Sequence, residues 1–286
     1  RSYASFEDMA KQEAAREDGI DVCAIVTPNH LHFPAAMAML DAGIHVICDK
    51  PLAATMDQAR EIADAVAASG KQFILTHNYT GYPLIRQARQ MVADGELGDL
   101  RVVQVEYPQD WLAEATSNKQ ADWRTDPARS GAGGCVGDIG THAYNLACFV
   151  TGLRAERLAA DLDAFVPGRP VDDNVHVMLR FPGGVKGMLW ASQVAVGNEN
   201  ALRLRVYGTR GGLEWAQENP NVMRFTRFGA STQILTRGGA GAIAAGTRVT
   251  RIPPGHPEGY LEGFATIYAE AADLVAHARD GTALPE

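Results

Sequence analysis

The sequence predicts an α/β fold in two parts: a parallel sheet with helices on both faces, then an α+β region whose sheet is large, open and mostly antiparallel. Three observations carry this. Short, nearly continuous apolar runs alternate with helical periodicity over the first 80 or so residues. Beyond them the texture changes to longer runs of alternating apolar and polar residues, and a Pro-Gly-Gly turn joins two of these runs directly.

Phe6 to about Arg16 suits an amphipathic helix, and Ile20 to Val26 is an apolar strand running into Thr27-Pro28-Asn29. Pro34 to Leu40 is helical and stops at Ala42-Gly43; His45 to Cys48 is a second buried strand, ending in Asp49-Lys50-Pro51. Thr55 caps a helix through Ala68 that Ser69-Gly70 closes, and Gln72 to Thr76 supplies the next strand. A parallel sheet binds ligands beyond the carboxyl ends of its strands, where Thr27-Pro28-Asn29, Asp49-Lys50-Pro51 and His77-Asn78 all fall.

The domain boundary is expected near Tyr79 to Gly81, giving a first domain of residues 1–80 and a second of residues 81–286. In the second, Leu84 to about Ala93 is helical. Arg101–Tyr107, Val175–Phe181, Val185–Gln193 and Leu202–Tyr207 are strands, with Pro182-Gly183-Gly184 as a hairpin turn. The Gly-, Ala-, Ser- and Thr-rich stretch from Gly229 to Gly246 reads as a surface loop, and Glu258 to Ala278 as a helix.

Composition narrows the function classes. With 286 residues, 46% hydrophobic and 21% charged, the chain has the balance of an ordinary globular protein with room for two domains. A net charge of −8, without a compensating basic stretch, argues against nucleic acid as a partner. No apolar run is long enough to span a bilayer. Cys23, Cys48, Cys135 and Cys148 form neither a CxxC pair nor a zinc-ligand spacing, so a reducing, cytoplasmic setting without disulfides is expected.

Two constellations carry chemistry. Lys50 ends a buried strand, where partial desolvation suits an ammonium to holding an alkoxide or polarising a carbonyl; a surface lysine paired with Asp49 accounts for the spacing equally well. The glycine-rich segment Gly131 to Gly137 leads into Asp138-Ile-Gly-Thr-His142 and an apolar helix through about Val150. A carboxylate and an imidazole four apart on a helix face one way, an arrangement for proton transfer to or from a sugar hydroxyl. Asp138 as a helix cap with His142 bonded locally is the competing reading.

The glycine segment has no GK[ST] ending and no preceding apolar strand, which argues against a phosphate cradle. Trp123-Arg124 offers a stacking face and a cation, or simply a packed ring beside a surface charge. His30 and His32, with Asp138 and His142, lack any complete metalloenzyme spacing, and no metal is expected.

Together, Ala24 to His32, Ala42 to Leu52, Gly95-Glu-Leu-Gly98, Trp123-Arg124 and Gly137 to His142 resemble the glucose-fructose oxidoreductase, inositol dehydrogenase and rhizopine-catabolism family, Gfo/Idh/MocA. The five motifs occur in the family's order over most of the chain. The resemblance implies a Rossmann domain followed by a predominantly antiparallel sheet domain, NAD or NADP as cofactor, a sugar or polyol substrate, and assembly as a homodimer or homotetramer. Lys50, Asp138 and His142 would be catalytic. Thr27, Pro28, Asn29, His32, Asp49, Lys50 and Asn78 would lie along the dinucleotide, with Trp123 and Arg124 closing the site. Asp49 departs from the family's commoner glutamate, shortening the reach toward a ribose by one methylene.

The family opens with a strand, a GxGxxG turn and a helix that nothing before Phe6 supplies. A truncated Rossmann domain is therefore expected, short by on the order of 50 to 80 residues, judged from a βαβ unit and the next helix. Two other functions stay open: a relative's NAD-dependent cleavage of glycosidic bonds, and a non-catalytic sugar-binding or assembly protein.

Overall fold

In the computed structural model, residues 1–281 are described. The chain runs α1 (Phe6–Ala14), β1 (Val22–Ile25), α2 (His32–Asp41), β2 (His45–Cys48), α3 (Met56–Ser69), β3 (Phe73–Leu75), α4 (Pro83–Ala93), β4 (Leu100–Pro108), α5 (Lys119–Arg124), α6 (Pro127–Ser130) and α7 (Thr141–Thr151). It continues through β5 (Arg157–Asp163), β6 (Asn174–Arg180), β7 (Lys186–Ser192), β8 (Arg203–Gly208), β9 (Gly211–Ala216), β10 (Val222–Arg227), β11 (Gln233–Thr236), α8 (Ala244–Thr247) and α9 (Tyr260–Asp280). Two compact units result. One comprises Arg1–Thr76, Trp123–Ala132 and residues 267–281; the other comprises His77–Asp122 and Gly133–Thr266.

The first unit holds a three-stranded parallel sheet in the order β1-β2-β3. α2 and α3 join its strands; side-chain caps start α1 and α3, while α2 begins without one. Ser5 accepts from the Asp8 amide to start α1, and Thr55 accepts from the Gln58 amide to start α3. Gly70 then closes α3 at φ +65°, a conformation that favours glycine. The core gathers Cys23 and Ile25 of β1, Val46 and Cys48 of β2, Ala36, Met39 and Leu40 of α2, and Ile62 of α3. All four residues of β2 are buried, as its central place in this sheet requires.

The second unit holds an eight-stranded sheet in the order β11-β10-β9-β8-β4-β7-β6-β5. Every neighbouring pair is antiparallel except β4 and β7, which run parallel. On one face Val103, Val105, Leu189, Val175, Leu204, Leu213 and Trp215 pack with Leu84, Ile85 and Ala88 of α4 and Ala143, Leu146 and Ala147 of α7. The other face carries the exposed Met178 and Met188.

Pro182-Gly183-Gly184 joins β6 to β7 as the turn residues predict. The stretch Gly229 to Gly246, expected to be loop, instead contains β11, antiparallel to β10, and the short α8. Three further strands escaped the alternation rule. β5 is exposed along nearly its whole length, as an edge strand can be, so its residues carry no apolar periodicity. β9 and β10 are only six residues each, with two buried residues apiece.

Candidate active site

In the first unit the candidate residues gather at the carboxyl ends of the strands. The ladder extends one step past the strands: the Asp49 amide donates to Ile25 O and the Thr76 amide to Cys48 O, each at 2.9 Å. Asp49 and Thr76 are thereby juxtaposed, and Thr76 Oγ1 donates to Asp49 Oδ1 at 2.7 Å. Lys50 follows, half-buried, before a cis bond to Pro51.

His32 bridges two of these loops. Its ring is 1% exposed, with Nε2 2.8 Å from Thr27 O and Nδ1 2.7 Å from Pro51 O. It fastens the loop after β1 to the loop after β2, and both nitrogens are engaged by the chain itself. Asn29 is likewise buried and donates from Nδ2 to Ser130 O at 2.9 Å, tying α6 to the same loop. Thr27 is exposed and Pro28 half-buried, so these two remain open to a ligand. The Arg124 guanidinium lies over the Trp123 indole, 4.2 Å from the ring centre.

The second unit carries Asn78, Asp138 and His142. Asn78 opens a buried turn, Asn78–Gly81, and is itself 2% exposed. No acceptor among the described residues meets its side-chain Nδ2. A buried amide with an unspent donor is costly unless something supplies the missing oxygen.

Asp138 lies in a π-helical turn, Val136–Gly140, that runs directly into α7 at Thr141. The start of this run is held from outside. A Cβ on Gly134 would sit 2.0 Å from the Asp172 carbonyl oxygen, so only glycine permits the approach. The Asp172 carboxylate accepts from the amides of Gly134 at 2.7 Å and Val136 at 2.8 Å and from the Cys135 thiol at 3.0 Å. An anion on the first amides of a helical run complements its dipole. Burial first, and the Asp172 charge second, push the Cys135 thiol far up, so it stays a thiol.

Asp138 Oδ2 accepts from Gln193 Nε2 at 2.9 Å. His142, 8% exposed, is surrounded by ring edges: Tyr79 at 4.9 Å, His77 at 5.4 Å and Tyr107 at 6.3 Å between ring centres. Behind it the Tyr79 and Tyr107 hydroxyls meet at 2.5 Å, and Tyr107 donates to Asn200 Oδ1 at 2.7 Å. Burial raises both phenols, so they remain neutral donors. The result is an imidazole held in a mostly aromatic wall, on the same helical run as a carboxylate.

Asp172, Gln193 and the tyrosine cluster were not anticipated. Gln193 had one signal: it continues the inward register of Gly187, Leu189 and Ala191, where a polar residue is unusual. Asp172 and the tyrosines had none, because their partners lie far off in sequence. Among the described residues, no cluster of three or more His, Cys, Asp or Glu is placed to hold a metal ion. Nor is any described helix long and apolar enough to cross a membrane.

A helix-joined parallel sheet followed by an eight-stranded, mostly antiparallel sheet makes this an α/β unit with an α+β unit after it, a class of fold in which ligands bind beyond the carboxyl ends of the parallel strands. Residues 1–89 match the oxidoreductase family model described as NAD-binding Rossmann fold, and residues 85–214 match the GFO/IDH/MocA C-terminal domain. The chain belongs to the Gfo/Idh/MocA oxidoreductase family.

Among solved structures, an oxidoreductase from Sinorhizobium meliloti is 55% identical with a TM-score of 0.90, over 98% of this chain and 75% of that one. An inositol dehydrogenase homolog from Azotobacter vinelandii, complexed with NAD+, is 35% identical with a TM-score of 0.94, over 98% of this chain and 73% of that one. The same homolog is also known complexed with NADH and myo-inositol. The levoglucosan dehydrogenase of Pseudarthrobacter phenanthrenivorans is 30% identical over 90% of this chain and 70% of its own length.

Proposed function

We propose that this chain serves an NAD(P)-dependent dehydrogenase that oxidises a carbinol carbon of a sugar, cyclitol or derivative, and that NAD is the cofactor. The observation that carries the proposal is the placement of Asp138 and His142 on one helical run, the carboxylate held by Gln193 and the imidazole walled by aromatic rings. The relatives complexed with NADH and myo-inositol, or named for levoglucosan, support a polyhydroxylated ring as substrate.

The chain's own groups fit such a cofactor. Thr27, Pro28, Asp49, Lys50, Asn78, Trp123 and Arg124 would hold it, with Asn78 Nδ2 supplying a buried donor that no acceptor among the described residues uses; His32 and Asn29 would shape the loops. When bound, the nicotinamide supplies a two-electron hydride acceptor. His142 takes the hydroxyl proton as the C–H bond breaks and the carbonyl forms, which makes it the general base. Lys50 stabilises the developing alkoxide with its ammonium, and Asp138 accepts from a substrate hydroxyl and orients His142. In the reductive direction His142 returns the proton.

The outer face of the eight-stranded sheet supports a homodimer or homotetramer. Met178 and Met188 are exposed there, and the Trp190 and His176 rings stack with 6.1 Å between centres. Glu106 already pairs with Arg205 at 3.2 Å and Arg203 at 3.6 Å within the face, so its charges reach an interface partly neutralised.

The protein should reduce NAD+ with at least one member of a panel including myo-inositol and levoglucosan, followed at 340 nm. Lys50→Ala and His142→Ala should each lower kcat by roughly 100- to 10,000-fold without loss of fold. No turnover across the panel, or full turnover in either variant, overturns the proposal.

A further inference from the structure

Gln193 directly follows β7 and is 3% exposed. Its backbone is pinned on both sides: its amide donates to Asp173 O at 2.8 Å, and its carbonyl accepts from the Leu112 amide at 3.1 Å. The side chain therefore has little freedom, and it spends its amide nitrogen on Asp138 Oδ2 at 2.9 Å. A carboxylate only accepts, so the nitrogen end of the amide is the end that faces it.

The chemistry of this contact is specific. The Asp138 carboxylate is half-buried, and the Gln193 amide that meets it brings no charge of its own. Such a donor fixes the plane of the carboxylate through one directed hydrogen bond.

We infer that Gln193 is a positioning residue for the oxidation: its amide sets the orientation of the Asp138 carboxylate, and through it substrate binding and the alignment of His142. The inference rests on the role proposed above for Asp138. Gln193→Ala removes the donor. Gln193→Glu keeps shape and volume but places a second carboxyl against Asp138, where like charges at contact distance share one proton. At high pH the pair repels; as pH falls, the shared proton restores a donor on residue 193.

The test uses the protein and the best-turned-over polyol of the panel, with kcat and KM measured from pH 6 to 9 for the wild type, Gln193→Ala, Gln193→Glu and Asp138→Ala. Gln193→Ala should lose about 10-fold in kcat/KM, mostly through KM, at every pH. Relative to wild type, Gln193→Glu should show a similar loss at pH 9 and recover toward pH 6. At pH 6, where the shared proton is held, melting temperature and NAD+ affinity should change little in Gln193→Glu, which carries the test if Gln193→Ala folds poorly. A Gln193→Glu to wild-type ratio that stays constant with pH, or undiminished kcat/KM in both Gln193 variants, overturns the inference alone. Undiminished turnover in Asp138→Ala overturns the role of Asp138 itself, and this inference with it.

Discussion

Asp172 offers a sharp test of how the helical run bearing Asp138 and His142 is held. In Asp172→Ala, the amides of Gly134 and Val136 and the Cys135 thiol lose their acceptor together. Hydrogen bonds to a charged group contribute roughly 1.5–3 kcal/mol each, which for two amides gives about 3–6 kcal/mol. Asp172 is only half-buried, so water recovers part of this, and a net loss of about 2–4 kcal/mol is expected. In a fold of about 150–250 residues each kcal/mol lowers Tm by roughly 2–4 °C, so the variant should melt about 4–16 °C lower. Asp172→Asn keeps one acceptor oxygen without the charge and should fall between. The assay is thermal unfolding by circular dichroism, paired with kcat/KM at a temperature where all three proteins are folded. There Asp172→Ala should lose about 10-fold as the run loosens under Asp138. An Asp172→Ala protein melting within about 1 °C of wild type would refute the view that this carboxylate anchors the run.

Two further outcomes follow from buried charge. Burial, then the Asp49 charge and Cys23, push the Cys48 thiol up to about 12 from 9.0, and burial pushes the Tyr82 phenol up to about 12 from 10.0. The folded chain keeps these protons where the unfolded chain releases them. Their stabilisation is therefore complete below pH 9 for Cys48 and pH 10 for Tyr82 and declines toward pH 12. At pH 10.5 the Cys48 thiol alone accounts for a loss of about 2 kcal/mol, so urea midpoints at pH 8 and 10.5 should differ clearly; equal midpoints contradict the assignment. Separately, Arg237 and Glu258 form a buried ion pair at 2.7 Å, and Arg237 also donates to the carbonyls of Ile252, Pro253 and His256. Arg237→Met strands the Glu258 charge and should cost about 3–5 kcal/mol, with part restored by adding Glu258→Gln. Thermal melts that leave the single variant at the wild-type temperature would sink this.

Much of the fold was legible because local rules suffice for it. Apolar runs at Ile20–Val26 and His45–Cys48, the Thr55 cap and the Gly70 stop identify a parallel, helix-covered sheet without any long-range information. The Pro182-Gly183-Gly184 turn does the same for one hairpin. Edge strand β5 was hidden because solvent on both sides removes the periodicity that marks a strand, and β11 because a loop-like composition paired with an edge. The parallel pairing of β4 with β7 has no local signature at all.

The candidate site divides the same way. The sequence by itself determined which residue types stand ready: a lysine at a strand end, an acid and a histidine four apart, and an order of motifs that resembles one family. Only the tertiary structure decided what holds them. His32 joins two loops through Thr27 and Pro51, Asp172 anchors the run beginning near Gly134, Gln193 orients Asp138, and Tyr79 and Tyr107 wall His142. Except where His32 reaches Thr27, each of these contacts spans from nineteen to sixty-three positions of sequence, as for Gln193 and Asp138 at fifty-five. A residue's chemistry is local, but the environment that tunes it is assembled by packing, and packing brings together partners that no sequence window contains.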